Sequence, residues 1–145
     1  MFFSPTCQYA IRALINLASS TSKGPVLVRT IAKDEGIPQQ FLSKILHTLS
    51  KQGILVSTKG PGGGYQLANP PKEISVFEIV KAIDGPIDID NVCILGLDEC
   101  SDVQSCPMHS HWIQFKNYYM EMTHTVMLDQ MVSTLHAKKA NKDKR

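Results

Sequence analysis

Three cysteines and a histidine lie close together in the second half of the chain, with the spacing Cys93-x6-Cys100-x5-Cys106-x2-His109. Thiolate and imidazole groups are the soft ligands that zinc and iron–sulfur clusters use. Structural zinc sites usually place paired cysteines about two to four residues apart, and these wider gaps suit a larger cluster. The pattern predicts a metal centre with Cys93, Cys100, Cys106 and His109 as ligands, although His111 is a second nearby imidazole.

The segment that contains these cysteines, residues 87–108, is predicted to be a loop and is called the cysteine loop here. Its charged residues are all acidic: Asp88, Asp90, Asp98, Glu99 and Asp102. Carboxylates should raise the pKa of a metal-free thiol and slow its reactions, which disfavours a bare thiol switch. A bound metal would instead deprotonate the thiols and balance the acids. The non-functional alternative is three adventitious cysteines in a solvated loop. Cys7, far outside it, is predicted to be a packing residue.

A second set of polar residues has the chemistry that reads DNA. They occupy one face of a predicted helix: Gln39, Gln40, Ser43, Lys44, His47 and Lys51. Glutamine can pair with adenine edges, and lysine can reach guanine or phosphate. We expect the first four of these residues to contact bases and the last two to contact the phosphate backbone. Many exposed amphipathic helices carry such a face, so this face is not specific by itself.

A glycine-rich loop, residues 59–64, separates two short predicted strands and indicates a β-hairpin that includes Tyr65. We expect its DNA contacts to be Lys59, Gly62, Gly63, Gly64 and Tyr65, because glycines permit close approach to a phosphate-lined groove. Arg29 and Lys33, on the preceding helix, should hold the flanking backbone. A phosphate-binding enzyme loop is disfavoured, since the Gly-Lys-Ser/Thr ending is missing.

Apolar periodicity predicts the elements that position these residues. Helices are expected over 5–19, 28–35 and 39–52, strands over 54–58 and 65–67, and a helix from the capping box of Ser75 and Glu78 to about Ile83. A last helix should begin near His111, with the seam Trp112, Phe115, Tyr119, Met122 and Val126 and a break between residues 123 and 128. The fold class is mainly α with a small β-hairpin, a winged helix-turn-helix. The domains are 1–70, 71–137 and a disordered basic tail over 138–145.

Charge separates the 145 residues into unlike halves, although the net charge is +2. Residues 1–60 contain seven basic and two acidic residues, whereas residues 61–137 contain three basic and ten acidic ones. This asymmetry favours a polyanion partner for the first half alone. No apolar run approaches the roughly 18 residues of a membrane span, and no signal peptide is evident. Cysteine usage favours a reducing, cytoplasmic location.

Several segments together resemble a known family: TCQYAIRALINLA, IAKDEGIPQQFLSKILHTLSKQGILVSTKGPGGGYQLA, ISVFEIVKAID and the cysteine loop that ends in CPMHSHW. They are similar to the iron–sulfur-sensing winged-helix transcriptional regulators over about residues 1–135. These regulators include the iron–sulfur cluster biogenesis regulator, the nitric-oxide-sensitive repressor and the rhizobial iron regulator.

The resemblance implies a homodimer on a palindromic double-stranded promoter site, with the long C-terminal helix as the dimer interface. It also implies that Cys93, Cys100 and Cys106 hold a [2Fe–2S] or [4Fe–4S] cluster that tunes DNA affinity. His109 matches the fourth ligand of the biogenesis branch. The nitric-oxide branch uses an acid from the first helix of the partner subunit, and Gln8 at that position is a poor iron ligand. Some members lack cysteines and bind partner proteins.

Two other functions stay open. One is a winged-helix regulator whose loop holds zinc or no metal and which responds to a partner protein or small ligand. The other is a metal-binding interaction module whose basic half contacts a protein. An enzyme is disfavoured, because no nucleophile–base signature, phosphate loop or C-x-x-C motif is present; no catalytic residue is predicted.

Overall fold

The computed structural model describes residues 3–86, 93–99 and 101–142, with side chains described through residue 138. These residues form six α-helices and one antiparallel hairpin. The elements in chain order are α1 (Pro5–Ser19), α2 (Val28–Glu35), α3 (Gln39–Lys51), β1 (Leu55–Thr58), β2 (Gly64–Leu67), α4 (Val76–Asp84), α5 (His109–Thr125) and α6 (Leu128–Lys142). The predicted fold class, mainly helical with a small hairpin, is confirmed.

The helix-turn-helix of α2 and α3 packs on α1 through the predicted apolar stripes. Leu14 of α1 and Leu42, Leu46 and Leu49 of α3 are fully buried. Each such side chain contributes about 1.5–3 kcal/mol by leaving water. Gly36 ends α2 with a left-handed φ of 64°, a conformation that glycine adopts at little cost. The sharp turn leaves the polar face of α3 outside this core.

The wing is the hairpin of β1 and β2, paired from Leu55 with Leu67 to Thr58 with Gly64. Val26 extends it by one bridge, since its N–H and C=O each form a 2.9 Å hydrogen bond with the backbone of Tyr65. The segment before α2 therefore holds β2 close to the turn of the wing.

The capping box predicted at the start of α4 is confirmed. The Ser75 hydroxyl accepts a bond from the Glu78 N–H, and the Glu78 carboxylate accepts one from the Ser75 N–H. Just before this cap, the Ile74 carbonyl accepts a 2.9 Å bond from the N–H of Leu128. These bonds fix the start of α4 to the junction of α5 and α6.

The predicted break near residue 125 is confirmed, because α5 ends at Thr125 and α6 begins at Leu128. Leu128 is fully buried, and Met131, Val132 and Leu135 pack against the α1 core. Helix α5 begins at His109, two residues before the expected start. Helix α6 continues through residue 142, whereas the composition predicts disorder from residue 138. None of the helices described here is both long and apolar enough to cross a membrane.

Candidate functional site

The outer face of α3 presents most of the predicted DNA-reading residues to solvent. Gln39, Gln40, Lys44, His47 and Lys51 are exposed. Ser43 is half-buried, and its hydroxyl donates a 2.9 Å bond to the carbonyl of Gln39. That hydroxyl keeps its lone pairs for accepting from a base, but its proton is committed to the helix. The structure therefore brings the predicted residues onto one accessible face, with Ser43 as the most constrained member.

The basic side chains around this face lack acidic partners. Among the residues that the structure describes, none of the predicted cations forms an ion pair. They are Arg29, Lys33, Lys44, Lys51 and Lys59. Arg12 differs, because its guanidinium bonds the backbone carbonyl of Glu35, pairs with the Glu35 carboxylate at 3.4 Å and lies over the Tyr9 ring. Uncompensated charge on α2, α3 and the wing is what a phosphate backbone would neutralise.

The wing glycines have reasons within the fold for being glycines. A Cβ on Gly64 would lie 2.2 Å from the Val26 carbonyl oxygen, and one on Gly63 would lie 2.2 Å from that of Thr58. Gly62 turns the loop with a φ of 73° and has open space around it. Tyr65 is half-buried and packs against the core. Lys59 and Gly62 are thus the exposed members of the predicted wing contact, while Gly63 and Gly64 shape the loop.

Two of the predicted metal ligands come together. The thiol of Cys93 lies 3.9 Å from Sγ of Cys106, across 13 positions of sequence. Cys93 is buried and Cys106 is half-buried. Paired thiols at contact distance match the soft donor set that a thiolate-bound metal requires, so these residues fit the predicted kind of centre. Cys100 lies outside the described residues.

The expected raised pKa of the loop thiols is wrong for Cys93. Backbone N–H groups of Leu95 and Leu97 lower the pKa of Cys93, with smaller contributions from the Cys106 thiol and the N–H of Gly96, against partial opposition from burial. The local turn explains this, because it directs peptide dipoles at the sulfur while most carboxylates stay in solvent.

Cys7 behaves as a packing residue should. Burial, with help from the charge of Asp84, raises its pKa to about 12.

His109 lies at the start of α5 and is buried. Its N–H donates to the Cys106 carbonyl at 3.0 Å, and its Nε2 lies 2.8 Å from Oδ1 of Asp102. Within the described ranges, which omit Cys100, no group of three or more Cys, His, Asp or Glu side chains is arranged around a metal position. The sequence analysis did not predict the contact of Asp102 with His109. The two residues are seven positions apart, and a loop has no periodic pattern that indicates which side chains meet.

The predicted apolar seam of α5 is partly buried and partly exposed in the structure. Tyr119 and Thr123 are buried, whereas Phe115 and Met122 are 38% and 37% exposed. Tyr118, which the seam did not include, is 66% exposed. Large apolar side chains at positions i, i+3 and i+7 form one continuous stripe on a helix. The structure thus leaves an apolar stripe of three partly exposed side chains on α5, Phe115, Tyr118 and Met122.

An exposed polar α3, a tight turn from α2 and a basic wing together define a winged helix-turn-helix DNA-binding protein. The family model of Rrf2, described as an iron-dependent transcriptional regulator, matches residues 3–134. The chain belongs to the Rrf2 family of DNA-binding transcriptional regulators. The prediction that it is not an enzyme is confirmed by this membership, and so is the predicted resemblance.

Individual relatives agree with this assignment. A helix-turn-helix-type transcriptional regulator of Aquifex aeolicus is 37% identical over 119 residues, which cover 81% of each chain. The regulator IscR of Pectobacterium atrosepticum is 29% identical over 126 residues, 87% of this chain and 76% of that one.

Solved structures show the same architecture. CymR, the global cysteine regulator of B. subtilis, matches with a TM-score of 0.77 at 23% identity, covering 91% of this chain and 96% of that one. IscR of T. potens matches with a TM-score of 0.70 at 25% identity, covering 91% and 86%. At 23% identity, the CymR match shows the fold alone.

Proposed function

We propose that this regulator acts in the cytoplasm as a homodimer on a palindromic promoter site, and that an iron–sulfur cluster in the cysteine loop sets its affinity for DNA. The uncompensated cations around the exposed face of α3 support the DNA-binding part. In this proposal the N-terminal residues of α3 contact base edges, while Lys51 and His47 contact phosphates. Lys59 follows the neighbouring groove, and Arg29 and Lys33 hold the flanking strand.

The apolar stripe on α5 supports the dimer. Phe115, Tyr118 and Met122 expose large apolar surface on a helix that is otherwise packed on α4. Pairing α5 with its copy would remove that surface from water, as helical seams do in dimers. A two-fold pair of α3 helices would then meet two half-sites about 34 Å apart, one turn of DNA.

The observation that carries the sensing part is the 3.9 Å separation of the Cys93 and Cys106 thiols. We assign Cys93, Cys100, Cys106 and His109 as the ligands. The cluster, when bound, supplies an iron centre that responds to oxidants, iron supply or nitric oxide. The chain itself would couple the cluster to DNA binding, because the cysteine loop joins the end of α4 to the start of α5. A change in the order of the loop would shift α5 against α4 and thereby the angle between the two DNA-binding domains.

DNA binding is tested by titrating the protein against promoter fragments at several salt concentrations. Lys44→Ala and Lys51→Ala should each weaken binding and lower the slope of log K against log salt by about 0.9 for each phosphate that is no longer neutralised. Lys81→Ala, on the exposed side of α4, is the matched control and should change neither. Binding that is insensitive to salt would contradict the proposal.

The cluster is tested by purification without oxygen, followed by iron and sulfide analysis and an absorption spectrum. Charge-transfer bands together with both elements are expected. Protein that lacks iron and sulfide after anaerobic reconstitution would instead support the second candidate, a regulator with zinc or no metal that answers to a partner protein or small ligand. The observation that favours this candidate is the same thiol pair, because two sulfur ligands of a single tetrahedral zinc ion would also lie about 3.8 Å apart, close to the 3.9 Å seen for Cys93 and Cys106.

A further inference from the structure

Arg12 of α1 fixes the end of α2, the point at which the chain turns into α3. Its guanidinium donates to the backbone carbonyl of Glu35 and pairs with the carboxylate of the same residue at 3.4 Å. Asn16, one turn further along α1, donates a 3.0 Å bond to that carboxylate. Glu35 is the last residue of α2, where carbonyls lack partners within the helix and favour a cation. The end of α2 is therefore held on α1 through its backbone and its side chain.

Tyr9 continues this contact from α1 to α3. Its ring centroid lies 5.6 Å from Cζ of Arg12, within the range of a cation–π contact. The same ring meets Phe41 edge to face, with 5.7 Å between the centroids and 85° between the planes, a geometry that aromatic pairs prefer. Phe41 directly follows Gln39 and Gln40, the first two residues of α3. The aromatic contact thus anchors the end of α3 that carries the predicted base contacts.

The start of α3 depends on this contact for its angle. Pro38 is the N-cap, and no side chain in the part of the chain that the structure describes caps the backbone there. An apolar stripe that includes the fully buried Leu42 and Leu46 holds α3 along one side, and a single line of contacts restrains rotation about the helix axis only weakly. Phe41 lies about 100° around the helix from Leu42, at the edge of that stripe. Its contact with Tyr9 therefore restrains the rotation of α3.

We propose that Tyr9 and Arg12 are positioning residues for DNA recognition, which set the rotation of α3 and thereby the sequence discrimination of the protein. This inference rests on the proposed contact of α3 with base edges and adds which residues set its angle. Hydrogen bonds to a base edge need a donor at a defined place, so a rotated α3 loses discrimination between sequences. Attraction between lysines and phosphates is independent of sequence, so the affinity for unrelated DNA is kept.

The experiment measures sequence discrimination with full-length protein prepared without oxygen. A duplex that the unchanged protein enriches from a random-sequence library is the specific probe, and an unrelated duplex of the same length is the non-specific one. Tyr9→Leu and Phe41→Leu remove the aromatic contact. Arg12→Lys keeps the charge but lacks the planar fork that reaches both the carbonyl and the carboxylate of Glu35. Each variant should lower the ratio of specific to non-specific affinity about tenfold, the discrimination of one base contact, with the non-specific affinity and its salt slope unchanged.

Two control variants separate positioning from general stability. Tyr9→Phe keeps the ring and should keep the ratio. Ser75→Ala removes the cap of α4 and should lower stability in urea without changing the ratio. The double variant of Tyr9→Leu with Phe41→Leu should lose no more than either single variant, because both substitutions act through one contact.

Several results would overturn the inference. They are a ratio that Tyr9→Leu leaves unchanged, an equal loss of specific and non-specific affinity, additive losses in the double variant, and a loss in Tyr9→Phe as large as in Tyr9→Leu, which would assign the effect to the hydroxyl. An unchanged protein that enriches no sequence from the library would contradict the proposed base contacts and this inference with them. Discrimination that survives in all the variants would overturn the inference alone.

Discussion

The close approach of Gly64 to the backbone of Val26 gives a test of why residue 64 is glycine. A Cβ at Gly64 would lie 2.2 Å from the carbonyl oxygen and 2.5 Å from the carbonyl carbon of Val26, and the φ of 139° is itself unfavourable for other residues. Relieving the clash requires β2 to move away from Val26 and breaks the paired bonds between Val26 and Tyr65. Two bonds cost about 2 kcal/mol, and the backbone strain about 1–3 kcal/mol. Gly64→Ala should therefore destabilise the fold by about 3–5 kcal/mol.

Two matched glycines isolate the steric part of this effect in urea unfolding followed by circular dichroism. Gly62→Ala keeps a left-handed φ of 73° but meets no atom within 4 Å, so about 1–2 kcal/mol is expected. Gly24→Ala meets neither obstacle and should change stability by less than about 1 kcal/mol. A Gly64→Ala variant no less stable than Gly62→Ala would refute the claim that the Val26 carbonyl sets this position.

Other expected outcomes rest on single interactions. Ser75→Ala removes the cap that accepts from the Glu78 N–H and should cost about 1 kcal/mol in urea unfolding; Glu78→Gln keeps an acceptor and should cost less. Arg12→Ala should lower stability without lowering the salt dependence of DNA binding, since the guanidinium is engaged within the fold. The folded pKa of Cys7, about 12, lies above its ordinary value of 9.0. The unfolded thiol therefore ionises first, stability should fall between pH 9 and 12, and Cys7→Ala should reduce that fall.

The local parts of the fold were predictable because their signals are local. Gly36 after an apolar stripe, the Ser75 and Glu78 capping box, and the glycines of the wing each encode one turn or cap. The break after α5 was predictable for the same kind of reason, since the apolar stripe changes direction there. The predicted start of α5 is two residues late because its first turn is stabilised by polar contacts of His109 with Cys106 and Asp102 in the preceding loop rather than by an apolar residue.

The cysteine loop was less predictable, because its chemistry depends on backbone direction. Counting carboxylates predicted a raised thiol pKa, yet the N–H groups after Cys93 point at its sulfur and lower it. Gly96 in the sequence CILGL was the available signal for such a turn. The contact between Cys93 and Cys106, 13 positions apart, had no sequence signal. It follows from how the loop turns between its two ends.

The two helices that flank the cysteine loop, α4 and α5, both contact the start of the DNA-binding domain. At one end Asp84, the last residue of α4, accepts bonds from the N–H and hydroxyl of Ser4, the N-cap of α1. At the other end α5 carries Tyr119, whose ring lies 6.3 Å from that of Phe3. The start of α1 therefore contacts both helices that flank the loop, while the middle of α1 forms the core beneath α3. Because the start of α1 contacts both helices, we expect a loop rearrangement that moves α4 and α5 apart to change the support of α3.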